Sequence, residues 1–227
     1  MISSSVAAVV PSLALAAGWG THGRILTLRL RTARRDPLTG LPTRAAWTAE
    51  AQRILQRRPQ DAAILLIDLD KFKAVNDGYG HAAGDAVLIA AAERLSAHFQ
   101  GRGIVGRLGG DEFAAVVYPG TGSPFDELSS EFALQYDLSV LTHELMREPV
   151  ALPDGEEAQL QASIGAAMYT EVIAPSLARS LHVADQMMYQ CKRLGSRWFV
   201  AAAGQDPQIE RQQTGRQRHH GPQAVAG

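Results

Sequence analysis

The hydrophobic pattern changes period several times along the chain, and each change marks an element. An unbroken apolar run, Ala62 to Ile67, ends in Asp68-Leu69-Asp70 and predicts a buried strand over 62–68 with carboxylates at its C-terminal mouth. Ile104-Val105-Gly106 and Ala114 to Tyr118 flank Arg107-Leu108-Gly109-Gly110-Asp111-Glu112-Phe113. A short glycine-bearing turn between apolar runs predicts a β-hairpin, with strands at 104–106 and 112–118. Leu160, Ala162, Ile164, Ala166 and Met168 alternate with other residues and predict a strand over 159–169, and Trp198-Phe199-Val200 predicts a last one within 197–202. Helical spacing predicts helices from an N-cap at Thr43 to about Arg58, from Asp85 to about Phe99, from Phe125 to Arg147 and from about Ser176 to Leu194. Asp77-Gly78-Tyr79-Gly80, Pro149, Pro153 and Asp154-Gly155 read as turns. Strands with helices between them argue an α+β sandwich whose central sheet is mostly antiparallel and flanked by helices.

The ends of the chain follow other rules. Residues 2–21 carry no charge, and Arg24, Arg29, Arg31, Arg34 and Arg35 follow them, so a single membrane span with the remainder inside is one reading of residues 1–23. Ser3, Ser4, Ser5, Pro11, Gly18 and Gly20 dilute the run, and an unstructured leader is the other reading. Residues 24–35 alternate basic and apolar positions and suit a connecting helix; Pro37 marks the start of a domain over 36–203. Residues 204–227 turn Gln-, Arg- and His-rich and read as a disordered tail. Over 227 residues the net charge is −1, which gives no global pull toward nucleic acid. The single cysteine, Cys191, excludes an internal disulfide and reads as a small helix residue rather than a nucleophile.

Candidate chemistry collects at the acidic stretches. A Gly-Gly tip lets a bulky ligand approach the backbone closely, and alternation along a strand sends Asp111 and Glu112 to opposite faces. Asp68 and Asp70 share a face, and a hairpin paired beside their strand brings Asp68 and Asp111 together. Two hard carboxylates beside water suit Mg²⁺, which retains several waters and binds substrate phosphates. Lys73 and the backbone N–H groups around Phe72 can meet phosphate charge. Asn76 offers a donor and an acceptor, while Asp85 only accepts; together they match the edge of guanine, and separately they are a turn former and an N-cap. Lys192, near the end of its helix, can reach a triphosphate.

Five stretches in order resemble the GGDEF domain family, the diguanylate cyclases. They are Asp36 to Arg44 (DPLTGLPTR), Asp68 to Asp85 (DLDKFKAVND, then GHAAGD), Gly109 to Phe113 (GGDEF), Ala162 to Gly165 (ASIG) and Ala184 to Lys192 (ADQMMYQCK). The resemblance implies a nucleotidyl cyclase or polymerase-palm fold and condensation of two GTP into cyclic di-GMP, with two pyrophosphates released. It implies Asp68, the carbonyl of Leu69 and Asp111 as ligands of Mg²⁺ or Mn²⁺, and Asp111 and Glu112 as catalytic carboxylates. It further implies guanine contact by Asn76 and Asp85, phosphate contact by Phe72 (backbone), Lys73 and Lys192, and catalysis across a homodimer. A bacterial cytoplasmic location follows, tethered to the membrane where residues 2–21 span it.

Two departures from the family pattern stand out. Ser196 stands where the family places an Arg, with Arg197 one residue late. Before the hairpin, Gln100-Gly101-Arg102-Gly103 replaces the family's RxxD inhibitory motif, so product inhibition there is not expected. No EAL-type hydrolase region is recognisable, so synthesis and not breakdown is implied. The competing readings are a GTP-binding regulatory module without turnover and a dimerisation domain without nucleotide.

Overall fold

A computed structural model of the chain describes residues 34–120 and 130–204. The membrane or leader segment, the connecting helix up to residue 33, the loop at 121–129 and the tail beyond residue 204 lie outside the described residues. Among those described, no helix is long and apolar enough to cross a membrane.

Five strands form one sheet in the order β2-β3-β1-β6-β7: β1 is Ala63–Leu69, β2 Gly103–Gly109, β3 Glu112–Val117, β6 Ala162–Met168 and β7 Trp198–Val200. Every pairing is antiparallel except that of β6 with β7. The sheet is therefore mostly antiparallel, as the apolar periodicities predict. Two short strands, β4 (Val150–Ala151) and β5 (Glu157–Ala158), form a separate ribbon that the sequence pattern does not reveal, since two residues are too few to show a period.

Helices cover both faces, which is why β1 is apolar at every position up to Ile67. On one face Leu65, Ile67, Phe113 and Ile164 pack against α3 (His81–His98) and α4 (Ser130–Arg147). On the other, Ile64, Leu66, Ala114 and Val116 pack against α1 (Arg44–Arg57) and α5 (Leu177–Leu194). Two glycines set how closely these layers approach. A Cβ at Gly165 would collide with the Ala184 carbonyl oxygen, so its absence seats α5 directly on β6. A Cβ at Gly106 would run into the Trp47 side chain.

The segment after β1 differs from expectation. Residues Phe72–Tyr79 form a helix, α2, and α3 begins at His81, so Asp77 to Tyr79 are helical and the turn is Gly80 alone. Asn76 is therefore not a turn former. Asp85 lies inside α3 and is not its N-cap; that position falls to Gly80, whose positive φ of 80° suits glycine. Lys71 adopts the left-handed conformation (φ 59°), at a cost of about 1–2 kcal/mol, and this lets α2 begin almost at the mouth of β1.

Candidate active site

The site is built where the hairpin lies across the end of β1. Strand β2 ends at Gly109, β3 begins at Glu112, and Gly110-Asp111 form the tip. The register of β2 on β3 shifts between Arg107 and Gly109, and Gly109 and Gly110 both take positive φ (145° and 53°). No atom lies within 4 Å of where a Cβ on either glycine would sit, so the tip is open. The Leu69 N–H donates to the Asp111 carbonyl at 3.3 Å, which fastens the tip to the last residue of β1.

This geometry corrects the simple alternation argument. Asp111 belongs to the turn, not to the strand, so it does not fix the facing of Glu112. Glu112 is instead directly opposite Asp68 in the β1–β3 register, and opposed residues of an antiparallel pair share a face. Both look toward the α1/α5 side. Arg44 of α1 approaches Glu112 at 3.4 Å, and Lys192 in the last turn of α5 meets Asp68 Oδ1 through its Nζ at 2.6 Å.

Electrostatics at Asp68 reflect its neighbours. Burial pushes its carboxyl upward, the Lys192 ammonium pulls it back, and the charges of Asp111 and Asp70 push it up again; the net shift is upward. The backbone bond from Leu69 to Asp111 is what keeps the hairpin tip beside Asp68. Asp70, just past the strand, has its own partners: the Ser163 hydroxyl donates to Oδ1 at 2.7 Å and Arg197 Nη1 donates to Oδ2 at 3.0 Å. The arginine that comes one residue late in sequence thus reaches the acidic mouth.

The remaining candidates sit around α2. Phe72 and Lys73 begin it, so the N–H groups of its first turn lie beside the end of β1. The Asn76 carboxamide lies over Gly84, where a Cβ would clash with Asn76 Oδ1, and Asp85 is the next residue. Asn76 and Asp85 are thus brought to one crossing of α2 and α3.

The motif Asp36 to Arg44 has a structural part that spacing alone did not expose. Asp36 Oδ1 accepts from the Thr39 N–H at 2.9 Å, the Thr39 hydroxyl at 2.8 Å and Arg107 Nη1 at 3.0 Å. Burial opposes its charge, but these donors prevail and hold its carboxyl below the ordinary value. Arg107 also donates from Nε and Nη2 to the Gly110 carbonyl at 3.0 and 2.8 Å. One guanidinium thereby ties the hairpin tip to the domain's first turn. Arg44 closes the DPLTGLPTR stretch and Arg107 stands two residues before the glycine tip, but neither position records in sequence the partner it meets.

Cys191 is buried, its thiol donating to the Ile164 carbonyl at 3.1 Å and pushed up to about 11 chiefly by burial. It is unfit as a nucleophile. Among the described residues no three His, Cys, Asp or Glu side chains form a ready metal cage. The donor set still suits Mg²⁺: one or two carboxylates are its usual protein ligands, with water and phosphate completing the shell. The Lys192 ammonium against Asp68 shows that this carboxylate already draws a cation.

The sequence profile of the family "Diguanylate cyclase, GGDEF domain" matches residues 33–197. The chain is 47% identical over 183 residues to an uncharacterized 19.3 kDa protein of Streptomyces ambofaciens, covering 79% of this chain and 91% of that protein. It is 41% identical over 166 residues to diguanylate cyclase DgcN of Escherichia coli K12, covering 72% of this chain and 38% of that cyclase. The chain therefore spans well under half of that relative. The solved GGDEF domain of TpbB from Pseudomonas aeruginosa superposes with a TM-score of 0.66 at 36% identity, covering 78% of this chain and 99% of that domain. With the hairpin tip, the acidic mouth and the profile in agreement, this chain belongs to the diguanylate cyclase GGDEF domain family.

Proposed function

We propose that this protein is a diguanylate cyclase that joins two GTP molecules into cyclic di-GMP. The observation that carries the reading is the Leu69 N–H bonded to the Asp111 carbonyl, which fastens an open glycine-bearing tip to the end of β1, next to Asp68. Each new bond requires attack of a ribose 3′-OH on the α-phosphorus of the second nucleotide, with pyrophosphate leaving. Alignment and charge neutralisation dominate such chemistry.

Each residue has a task in this reading. Asn76 and Asp85 hold the guanine edge, Asn76 offering both donor and acceptor and Asp85 accepting from the base N–H groups. Lys73, the backbone at Phe72 and Lys192 hold the phosphates, and Arg197 on Asp70 lies close enough to the mouth to add a further guanidinium. Asp68, the Leu69 carbonyl and Asp111 would hold a Mg²⁺ or Mn²⁺ ion, which would supply acidity to the attacking hydroxyl and neutralise charge. Glu112, on the same face as Asp68 and steadied by Arg44, orients that hydroxyl and accepts its proton. One site holds one GTP, so two protomers face each other and each presents its nucleotide to the other. Because the substrate is GTP, the domain works on the cytoplasmic side of the cell.

The test is incubation of the purified chain with GTP and Mg²⁺, read by mass spectrometry. Cyclic di-GMP and pyrophosphate are the expected products. GTP binding without product would instead indicate a regulatory module, and absence of binding a dimerisation domain.

A further inference from the structure

Asp68 and Asp70 stand two residues apart, yet their partners differ in kind. Asp70 is held by a hydroxyl and a guanidinium, Ser163 and Arg197, so its charge is satisfied by neighbours of the fold. Asp68 is met by the tip of a flexible lysine, with the Lys192 ammonium 2.6 Å from Oδ1. The Lys192 side chain is 41% exposed and that of Arg197 38%, so the contrast lies in the second donor: Asp70 also holds the Ser163 hydroxyl, whereas among the described residues the ammonium is the one partner of the half-buried Asp68 carboxylate. A half-buried carboxylate favours a counter-charge, and a partly exposed lysine can leave by changing rotamers alone.

We propose that Lys192 is a built-in competitor of the divalent cation at Asp68, suppressing metal binding until a triphosphate draws its ammonium away. The inference rests on the reading of Asp68 as a metal ligand given above. A magnesium ion approaches a carboxylate oxygen to about 2.0–2.1 Å. An ammonium at hydrogen-bond distance on the same oxygen would repel a second cation and fill the space beside the carboxylate that it would need. The two cations therefore alternate on Asp68.

Helix α5 favours the resting arrangement, because Lys192 lies in its last turn, where the helix dipole attracts positive charge. The charges of Asp70 and Asp111 add to the pull on whichever cation is present. A triphosphate offers the ammonium a partner of higher charge. Its arrival frees Asp68 at the moment the metal is needed, and the carboxylate passes from one counter-charge to the other without standing bare. By linkage, anything that removes Lys192 from Asp68 tightens metal binding by the same factor that Lys192 weakens it.

The experiment measures Mn²⁺ binding to the full chain without nucleotide, from the paramagnetic resonance signal of the free ion. K192Q is expected to bind Mn²⁺ about tenfold more tightly than the unaltered protein. K192R, which retains the positive charge, is expected to match the unaltered protein and controls for loss of packing. D68N and the double variant D68N/K192Q should bind weakly and alike, because the gain acts through Asp68. If K192Q is no tighter while D68N is weaker, the competition is overturned and the metal site stands. A K192Q gain that survives in the D68N background also overturns it. If D68N binds Mn²⁺ as well as the unaltered protein, both the competition and the metal assignment fall.

Discussion

Asp111 is the residue on which the proposed chemistry turns, and its position makes it removable. It lies in a two-residue tip, partly exposed, outside the sheet's core. Asp111→Ala is therefore expected to change stability by no more than about 0.5 kcal/mol, as at other surface sites. Synthesis of cyclic di-GMP should fall about a thousandfold, several kcal/mol of barrier, because one metal ligand is lost. A chemical-denaturation curve beside a product assay separates the two effects. Asp36 predicts the opposite pattern. Its carboxyl is held below its ordinary value by Thr39 and Arg107 against the cost of burial, so it stabilises the fold when ionised. That contribution is fully present above the unfolded-state value and is lost as pH falls through the lower folded-state one. Asp36→Asn should thus lower the melting temperature at neutral pH, by about 2 kcal/mol of stability. The gap to the unaltered protein should close as pH falls below the ordinary carboxylate range, because the folded-state value lies lower. A gap that stays constant over that fall would remove Asp36 from its role as a charged anchor.

At the scale of elements, α5 couples packing to chemistry. Its seat on β6 depends on Gly165, and its last turn carries Lys192 to Asp68. Gly165→Ala is expected to cost about 3 kcal/mol, because the added methyl meets backbone of α5 and not the end of a flexible side chain. Urea unfolding midpoints would measure this. The strands and helices that bury one face or both were readable from period and apolar runs, since burial imposes those patterns directly. What periodicity showed only faintly was α2: Phe72 and Val75 are half-buried against the core, but two apolar positions in eight residues are too few to outweigh Asp77 and Gly78, which read as a turn. The facing of Glu112 was hidden for a different reason. Alternation holds within a strand, but the register shift before the tip and the placing of Asp111 in the turn are properties of the pairing. Residues meeting across the fold, such as Arg107 with Asp36 or Arg197 with Asp70, were likewise beyond reach, because nothing local records a contact between distant positions. The acidic stretches themselves stood out in the sequence as candidates, but an acidic hairpin alone reads equally as a solvated turn, and the second stretch and the family resemblance were needed to point it toward chemistry.

For the whole molecule, the proposed reaction, with one GTP held per protomer, demands two protomers. Cyclic di-GMP contains two equivalent phosphodiester bonds, and in the proposed mechanism each would form at one site on one bound nucleotide. A pair of protomers with one disabled site can close the first bond but not the second. Mixing the unaltered chain with Asp111→Ala protein in increasing proportion should therefore depress cyclic product with the square of the unaltered fraction, provided protomers exchange freely. A linear dinucleotide still bearing a triphosphate should accumulate at intermediate ratios, where mixed pairs predominate. Specific activity of the unaltered chain should also rise with protein concentration until pairing saturates. Mass spectrometry of the nucleotide products across the mixing series reads both species at once. Cyclic product that falls in simple proportion to the unaltered fraction, with no linear species, would mean that one protomer completes both bonds, and the facing-pair mechanism would have to be abandoned.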